Sequence, residues 1–468
     1  MRRAIFITFL STLCLFVRAQ EAPVRASEQT PIRLIFTTHY QQHLFGYDPV
    51  WHSWSDSSLS RALTYIRSHR RAVGEDHFAL INTGREPSAI YRLYPEDMRA
   101  RVEAVAGYEA LSRFHRAGLT FQVAEWDSGA AEPANAPADF HIGLFASAPS
   151  AEQAIAGAGR LHLAVIAQGN DPEVYRVIRS LGDTVTVLNT GLSGRYIGVA
   201  DIRSATDFTV RWVDISGFPV EAEYEMRFEA LTDSLRAFYD KSIATVPQTL
   251  SQEGYLLKPT PYMALFHRFQ REASGADISF FAPPLAHDSI PAGALTFADV
   301  LRRFRYDNTL CVVRLTREEI RRYLEHAYGL RYNTVRRSSD NLLRLRRTAD
   351  GTLQLRSAPY NLDEAGGLRY EVDVSRPAGQ RIRILSMPDA QATPYYTVAL
   401  NSHRIESGYL ARACGLTPEQ IADRLVWESQ DDYRLLLIRY LTKNPFHKEW
   451  EAHWQVIPES FAERVREF

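Results

Sequence analysis

At 468 residues, with 45% hydrophobic, 23% charged and 11% aromatic residues, the chain has the composition of a well-cored globular protein, neither disordered nor fibrous. Its length exceeds one ordinary core, so two domains are expected. A formal net charge of −1 gives no electrostatic reason for nucleic acid or an anionic membrane surface to be the main partner.

The chain opens "MRRAIFITFLSTLCLFVRAQ". Arg2 and Arg3 form a basic start, an apolar run extends from Ala4 to Val17, and Val17-Arg18-Ala19 fits a small-residue cleavage site before Gln20. The run is too short for a comfortable membrane span. Residues 1–19 are therefore expected to be a signal peptide, and the protein to be exported to the periplasm, the cell surface or the medium. Ser11-Thr12-Leu13 makes a poor lipobox ahead of Cys14. With Cys14 removed, Cys311 and Cys414 remain. Two cysteines are no disulfide framework, and two buried thiols are expected rather than a bridge.

From Ile32 the pattern is strand, helix, strand. "IRLIFTT" is a β-rich run, "SLSRALTYIRSHRRAV" has helical spacing with Ser57 or Ser58 as N-cap, and "HFALINTG" is a strand ending in glycine. "ADFHIGLFAS", "LHLAVIAQG", "DTVTVLNTG" and "RYIGVADI" follow, each closed by a small or turn residue. This alternation predicts a layered α/β domain over 30–205. "SGAAEPANAPAD" within it is a loop by composition. A helical linker is expected over 206–248, then a second, α+β domain over 249–468. There "LTREEIRRYLEHAYG" reads as an amphipathic helix with Thr316 as N-cap and Glu319 completing a capping box.

"IFTTHYQQHLFGYDP" has the rhythm of a strand running into a metal-binding loop. Further on, "SFFAPPLAHDSIPAGALTFADVLRRFRYDNTLCVVRLTREEIRRYLEHAYG", "YNLDEAGGLRYEVDVSRPAG" and "YYTVALNSHRIESGYL" follow one another. In this order the strings resemble the secreted 5′-nucleotidase/2′,3′-cyclic phosphodiesterase family. The resemblance implies a calcineurin-like metallophosphoesterase domain followed by a nucleotide-binding 5′-nucleotidase C-terminal domain. The C-terminal strings carry it, and the N-terminal half is recognisable mainly by frame.

The family's chemistry requires two divalent cations that clamp a phosphate and activate a water. Laid on that frame, Asp-x-His becomes His39-Tyr40-Gln41, and Gly-Asp becomes Gly84-Arg85. The single His becomes Ala146, and Gly-His-x-His becomes Ala167-Gln168-Gly169-Asn170. No Gly-Asn-His string is present. Arg85 stands where a bridging carboxylate would offset the charge of two cations, and its guanidinium is always protonated. At an effective dielectric of about 20 the repulsion is on the order of several kcal/mol. The resemblance thus implies a degenerate metal site at His39, Gln41, Arg85, Ala146, Gln168 and Asn170, with no metal, no cofactor and no catalytic residue. A different metal site from His39, His43, His52, His141 and Asp171 is the alternative, though no HExxH or acidic cluster accompanies them.

Family members sandwich a nucleobase between two rings, which suits any base because every base has a π-face. The first ring and its amide match Tyr306 and Asn308 in "RYDN", and the second ring falls at His403. Asp363, with Tyr360, Asn361 and Gly366-Gly367, makes a turn able to line the same pocket. Ser407-Gly408-Tyr409 replaces the Gly-Gly-acid string, so that carboxylate is missing. The blander reading makes Tyr306 a packed strand-end tyrosine, Asn308 a turn former and 360–367 a structural turn. The basic "TVRRSSDNLLRLRR" is a solvated loop face or a phosphate contact. No Gly-x-Ser-x-Gly elbow supports a serine nucleophile.

Three functions are thereby left open. The leading one is an exported relative that has lost two-metal phosphoesterase activity and binds a nucleoside or nucleotide through its C-terminal domain. The second is an active nucleotide phosphohydrolase with repositioned ligands. The third is a non-catalytic structural or interaction protein.

Overall fold

The computed structural model describes residues 30–37, 43–82, 94, 96–99, 101, 112–126, 137–145, 155, 160–169, 171–178, 182–337, 339–389, 394–446 and 450–462. The expected signal peptide lies outside them, as do His39, Gln41, Arg85, Ala146 and Asn170.

Two sheets stack in the amino-terminal half. One runs in the order Phe208–Asp214, Tyr196–Ile202, Ile32–Thr37, Phe78–Asn82. Ile32–Thr37 pairs antiparallel with Tyr196–Ile202 (Ile35 opposite Val199) and parallel with Phe78–Asn82 (Ile35 opposite Leu80). The other sheet runs Arg113–Arg116, Leu119–Trp126, Phe140–Phe145, Leu163–Ile166, Thr184–Asn189, Glu173–Ile178. Side chains alternate faces along a strand. Leu34 and Phe36 accordingly enter the core between the sheets with Phe121, Ile142, Val165 and Leu188, while Ile35 faces helices on the outside. Both faces of Ile32–Thr37 are thus covered, which is why "IRLIFT" reads as a nearly unbroken apolar run.

The helix Leu59–Val73 begins as expected at Ser58, whose side chain accepts from the Arg61 N–H at 3.2 Å. The stretch expected as a helical linker over 206–248 is helical over Ala222–Arg227 and Glu229–Tyr239. Its first part instead forms the edge strand Phe208–Asp214 of the four-stranded sheet, and Ser242–Val246 pairs with Gly293–Thr296 of the second half. "FTVRWVD" has the β-branched and aromatic content of a strand, and the free edge of Tyr196–Ile202 supplies its partner.

A five-stranded sheet organises the carboxyl-terminal half, in the order Glu364–Gly366, Ile278–Phe281, Tyr395–Asn401, Leu310–Thr316, Leu425–Glu428. Pro261–Ser274 and Tyr433–Lys443 cover one face, and Arg317–Arg331 with Tyr409–Cys414 the other. The capping box at Thr316 is formed: the Thr316 N–H donates to Glu319 Oε2 at 2.8 Å, and the Glu319 N–H to Thr316 Oγ1 at 3.3 Å. Cys311 and Cys414 are free, buried thiols, as expected. Burial pushes their pKa values up to about 11 and about 12. No helix among the described residues is long and apolar enough to cross a membrane.

Candidate functional site

The antiparallel register that sets Leu310 opposite Asn401 brings the "RYDN" loop and the "NSHR" turn to one end of the five-stranded sheet. The Ser402 N–H donates to the Thr309 carbonyl at 2.9 Å, and the Thr309 N–H to Ser402 Oγ at 3.2 Å. Tyr306 and His403 are therefore neighbours in the fold, although they are nearly a hundred residues apart in sequence. Tyr306 is 76% exposed and His403 is also exposed. No ring contact is recorded between them, and at that exposure Tyr306 is not the packed tyrosine of the blander reading. Asn308 is half-buried, and its carbonyl accepts from the Tyr433 N–H at 2.7 Å, which ties the loop to the helix Tyr433–Lys443.

The turn at 360–363 is held from behind. Arg404 donates to the Tyr360 carbonyl and pairs with the Asp363 carboxylate at 2.9 Å. The Tyr409 hydroxyl donates to the Asn361 carbonyl at 3.0 Å, and Arg331 to the Leu362 carbonyl at 2.6 Å. Asp363 is only 1% exposed. Its carboxylate, singled out from sequence as a ligand contact, is engaged by Arg404 inside the fold. Held this way, the turn leaves the Tyr360 ring half exposed.

Tyr360 and Asn361 form one wall of a cleft of about 1280 Å³. The Ala286–Ser289 part of "APPLAHDS" and residues 251–256 line it as well. Gln252 ties that loop down by donating to the Leu285 and Ala286 carbonyls at 2.9 and 3.1 Å. Asp288 is fixed by Arg303 at 2.9 Å and by the Tyr262 hydroxyl at 2.8 Å. Arg346 and Arg356 add positive charge to the rim. Arg346 comes from the basic run 334–347, so part of that run faces the cleft. Neither Tyr306 nor His403 lines it.

In the amino-terminal half, Gln168 is the one described member of the six positions laid on the metal site. It follows the strand Leu163–Ile166. The Asn189 side chain holds its backbone, accepting from the Gln168 N–H at 2.9 Å and donating to the Gln168 carbonyl at 3.0 Å. The described histidines of the alternative site have separate partners. His43 lies 3.6 Å from Asp48, His52 is hydrogen-bonded to Asp240 at 2.8 Å, and the His141 ring stands beside that of His162. Among the described residues, the group able to hold a cation is elsewhere: His267, Glu364 and His453, in the carboxyl-terminal half. Sequence reasoning missed it, because its members come from three separate segments with no shared motif.

The architecture is that of two-domain nucleotidases. A candidate 5′-nucleotidase from Staphylococcus aureus, solved with α-ketoglutarate, superposes with a TM-score of 0.57 at 15% identity, over 91% of this chain and 100% of that one. NAD nucleotidase from Haemophilus influenzae superposes with a TM-score of 0.52 at 11% identity, over 91% and 98%. At such identities the likeness shows the fold. In sequence, residues 242–412 match the profile of the "5′-nucleotidase, C-terminal domain" family. The trifunctional nucleotide phosphoesterase YfkN of Bacillus subtilis is 28% identical over 194 residues, which cover 37% of this chain and 12% of that protein. A 2′,3′-cyclic-nucleotide 2′-phosphodiesterase/3′-nucleotidase of Yersinia enterocolitica is 27% identical over 194 residues, covering 38% and 26%. Residues 242–412 therefore carry a 5′-nucleotidase C-terminal domain. The chain's alignment spans between about an eighth and about a quarter of the length of these two relatives.

Proposed function

We propose that this is an exported member of the family that has lost two-metal phosphoester hydrolysis and retains binding of a nucleoside or nucleotide in its carboxyl-terminal half. The observation that carries the binding reading is the 1280 Å³ cleft inside the matched region, with Tyr360 and Asn361 on one wall and two arginines on its rim. Exposed Tyr306 and His403 at the nearby sheet end supply further π-faces for a base. Each base contact contributes roughly 1–3 kcal/mol, so the expected affinity is about micromolar to millimolar. Arg346 and Arg356 are placed to meet phosphate.

The loss of hydrolysis rests on the chemistry of the donor set. Ala146 offers no donor atom, Gln168 and Asn170 offer neutral amides, and Arg85 adds a fixed positive charge where two cations need a carboxylate. These residues do not fit a di-metal centre. Export rests on the basic and apolar start of the chain.

Calorimetric titration of adenosine and AMP into wild type, Tyr306→Ala and Tyr360→Ala tests the binding reading. Weak binding, reduced roughly 5- to 150-fold by at least one variant, is expected. Absence of binding at millimolar nucleoside, or binding indifferent to both substitutions, would leave a purely structural role. Hydrolysis of AMP and 2′,3′-cyclic AMP is expected to stay at background with added divalent ions. Metal-dependent turnover abolished at His39 or His141 would establish the active-enzyme alternative.

A further inference from the structure

Below the helix Pro261–Ser274, three side chains from distant segments converge. His267 comes from that helix, Glu364 from the edge strand Glu364–Gly366, and His453 from the residue before the strand Trp454–Ile457. Glu364 is fully buried and His267 nearly so. Glu364 Oε1 lies 3.3 Å from His267 Nε2 and 3.6 Å from His453 Nε2. One ligand atom from each of the three residues lies within 4.8 Å of the others.

These separations are long for charge-assisted hydrogen bonds, which run about 2.7–2.9 Å. They are close to the edge of a tetrahedron around a cation with bonds of about 2.0–2.1 Å, an edge of about 3.3–3.4 Å. The proton inventory leads the same way. His453 Nδ1 faces the Glu451 carbonyl at 3.5 Å, a group that can only accept; the tautomer with its proton on Nδ1 satisfies that carbonyl and turns a bare Nε2 toward Glu364. His453 Nε2 is buried without a hydrogen-bond partner. His267 Nδ1 is 2.6 Å from Ser279 Oγ, whose own hydroxyl is placed 3.4 Å from the His267 carbonyl. In the tautomer that leaves that hydroxyl hydrogen on the carbonyl, Nδ1 donates to Ser279 and Nε2 is bare as well; in the other, Nε2 donates to Glu364 Oε1 at 3.3 Å. In the first tautomer two nitrogen lone pairs point at one carboxylate oxygen, an arrangement that a cation between them relieves.

The surroundings are those of a built site. The Trp454 indole donates to Glu364 Oε2 at 3.0 Å and so aims the other oxygen at the histidines. Residue 366 must be glycine for the strand to pass: a Cβ there would stand 2.5 Å from His267 Cγ. His267 and His453 also line a cleft of about 510 Å³ with Gly366, Arg271 and Arg369, which leaves a fourth coordination position open to solvent.

We propose that His267, Glu364 and His453 form a site for a first-row divalent transition cation, zinc foremost, with its open position in this cleft. Two imidazoles and one carboxylate suit zinc, and three protein ligands with one open position match catalytic rather than closed structural zinc sites. Glu364 offsets only one of the two positive charges, and the cleft lining carries Arg268, Arg271 and Arg369 against Glu272 and Glu451, so the open position favours hydroxide or another anion over a neutral ligand.

The test is titration of chelator-treated, tag-free full-length protein with Zn²⁺ by calorimetry, and with Co²⁺ by visible absorption. One equivalent should bind, with the intense d–d bands of a tetrahedral cobalt site. His453→Ala, which touches the least buried ligand, should weaken Zn²⁺ binding at least tenfold, and Glu364→Gln should remove the cobalt bands. Thermal melts without metal show whether each variant is folded. Folded wild type that takes up neither ion, or one equivalent retained undiminished in folded His453→Ala, would overturn the proposal and make the cluster a metal-free ion network.

Discussion

The two halves bury very different material. Between the sheets of the amino-terminal half the core is aliphatic and aromatic, from Leu34 and Phe36 to Phe121, Ile142 and Leu188. Among the described residues, the buried arginines, Arg331, Arg381, Arg404 and Arg434, all lie in the carboxyl-terminal half, with Asp363, Glu364 and Asp432 as buried acids around them. A buried charge is costly unless it is paired and fully hydrogen-bonded, whereas an apolar core tolerates many substitutions of similar volume. One half is therefore specified mainly by shape, the other by a set of charge contacts that fix loop geometry. The clamped turn at 360–363 illustrates the second case, since its carbonyls and its carboxylate are held by Arg331, Arg404 and Tyr409.

The largest effect is expected where that charge network is cut. Arg404→Ala leaves Asp363 buried without its partner, and removal of one member of a buried pair costs about 3–5 kcal/mol. The double variant Arg404→Leu with Asp363→Asn should recover part of this loss, because the uncompensated charge is gone. Urea unfolding of the three proteins checks the ordering. A single variant as stable as wild type would mean that the carboxyl-terminal half does not depend on its ion pairs.

A smaller effect is expected from Leu34→Ala in the inter-sheet core. Leu34 is fully buried between the sheets. Loss of its branched carbons plus the residual cavity costs about 3 kcal/mol, within the usual 2–5. Leu34→Met keeps the volume and should cost less than about 1.5 kcal/mol. Equal losses for the two variants would show that packing shape is not what specifies this half.

Legibility in the sequence follows the same division. Local signals translated directly: Ser58 caps its helix, Thr316 and Glu319 close their box, and the apolar runs became strands, because each depends on residues within one turn or one pleat of each other. The edge strand Glu173–Ile178 was not read, since its side chains are largely exposed and its stability comes from pairing with Thr184–Asn189. Phe208–Asp214 was absorbed into a helical linker for a related reason: its partner strand, not its own pattern, decides its place. Of the candidate ligand contacts, Tyr306, Asn308 and His403 sit on loops at one sheet end with no contact recorded among their side chains, while Asp363 serves Arg404. The His267–Glu364–His453 cluster had no signal at all. It exists only because the edge strand pairs with Ile278–Phe281 and because Arg369–Asp373 pairs in parallel with Trp454–Ile457.

The smallest effect concerns a charge pair in the half that is specified by shape. Arg195 and Asp214 meet at the end of the edge pair, with Arg195 Nη2 2.6 Å from Asp214 Oδ2, and both are partly exposed. The hydrogen bond from Arg195 outweighs partial burial, and with help from the Ser216 N–H it holds the Asp214 pKa down from 3.8 to about 2. A carboxylate whose folded-state pKa is depressed contributes stability that is fully present above its unfolded value and is lost as pH falls through the folded one. The pair's contribution should therefore be constant at neutral pH, decline most steeply between pH 3.8 and about 2, and vanish only below both values. Solvent screening keeps it small, as for most surface ion pairs. The measurement is the difference in unfolding free energy between wild type and Asp214→Asn across that range. A gap that closes on acidification, and that narrows with added salt, fits an exposed pair acting by charge alone. A gap that stays constant with pH would mean that Asp214 acts through its neutral hydrogen bonds, and that even this half relies on polar geometry rather than on packing.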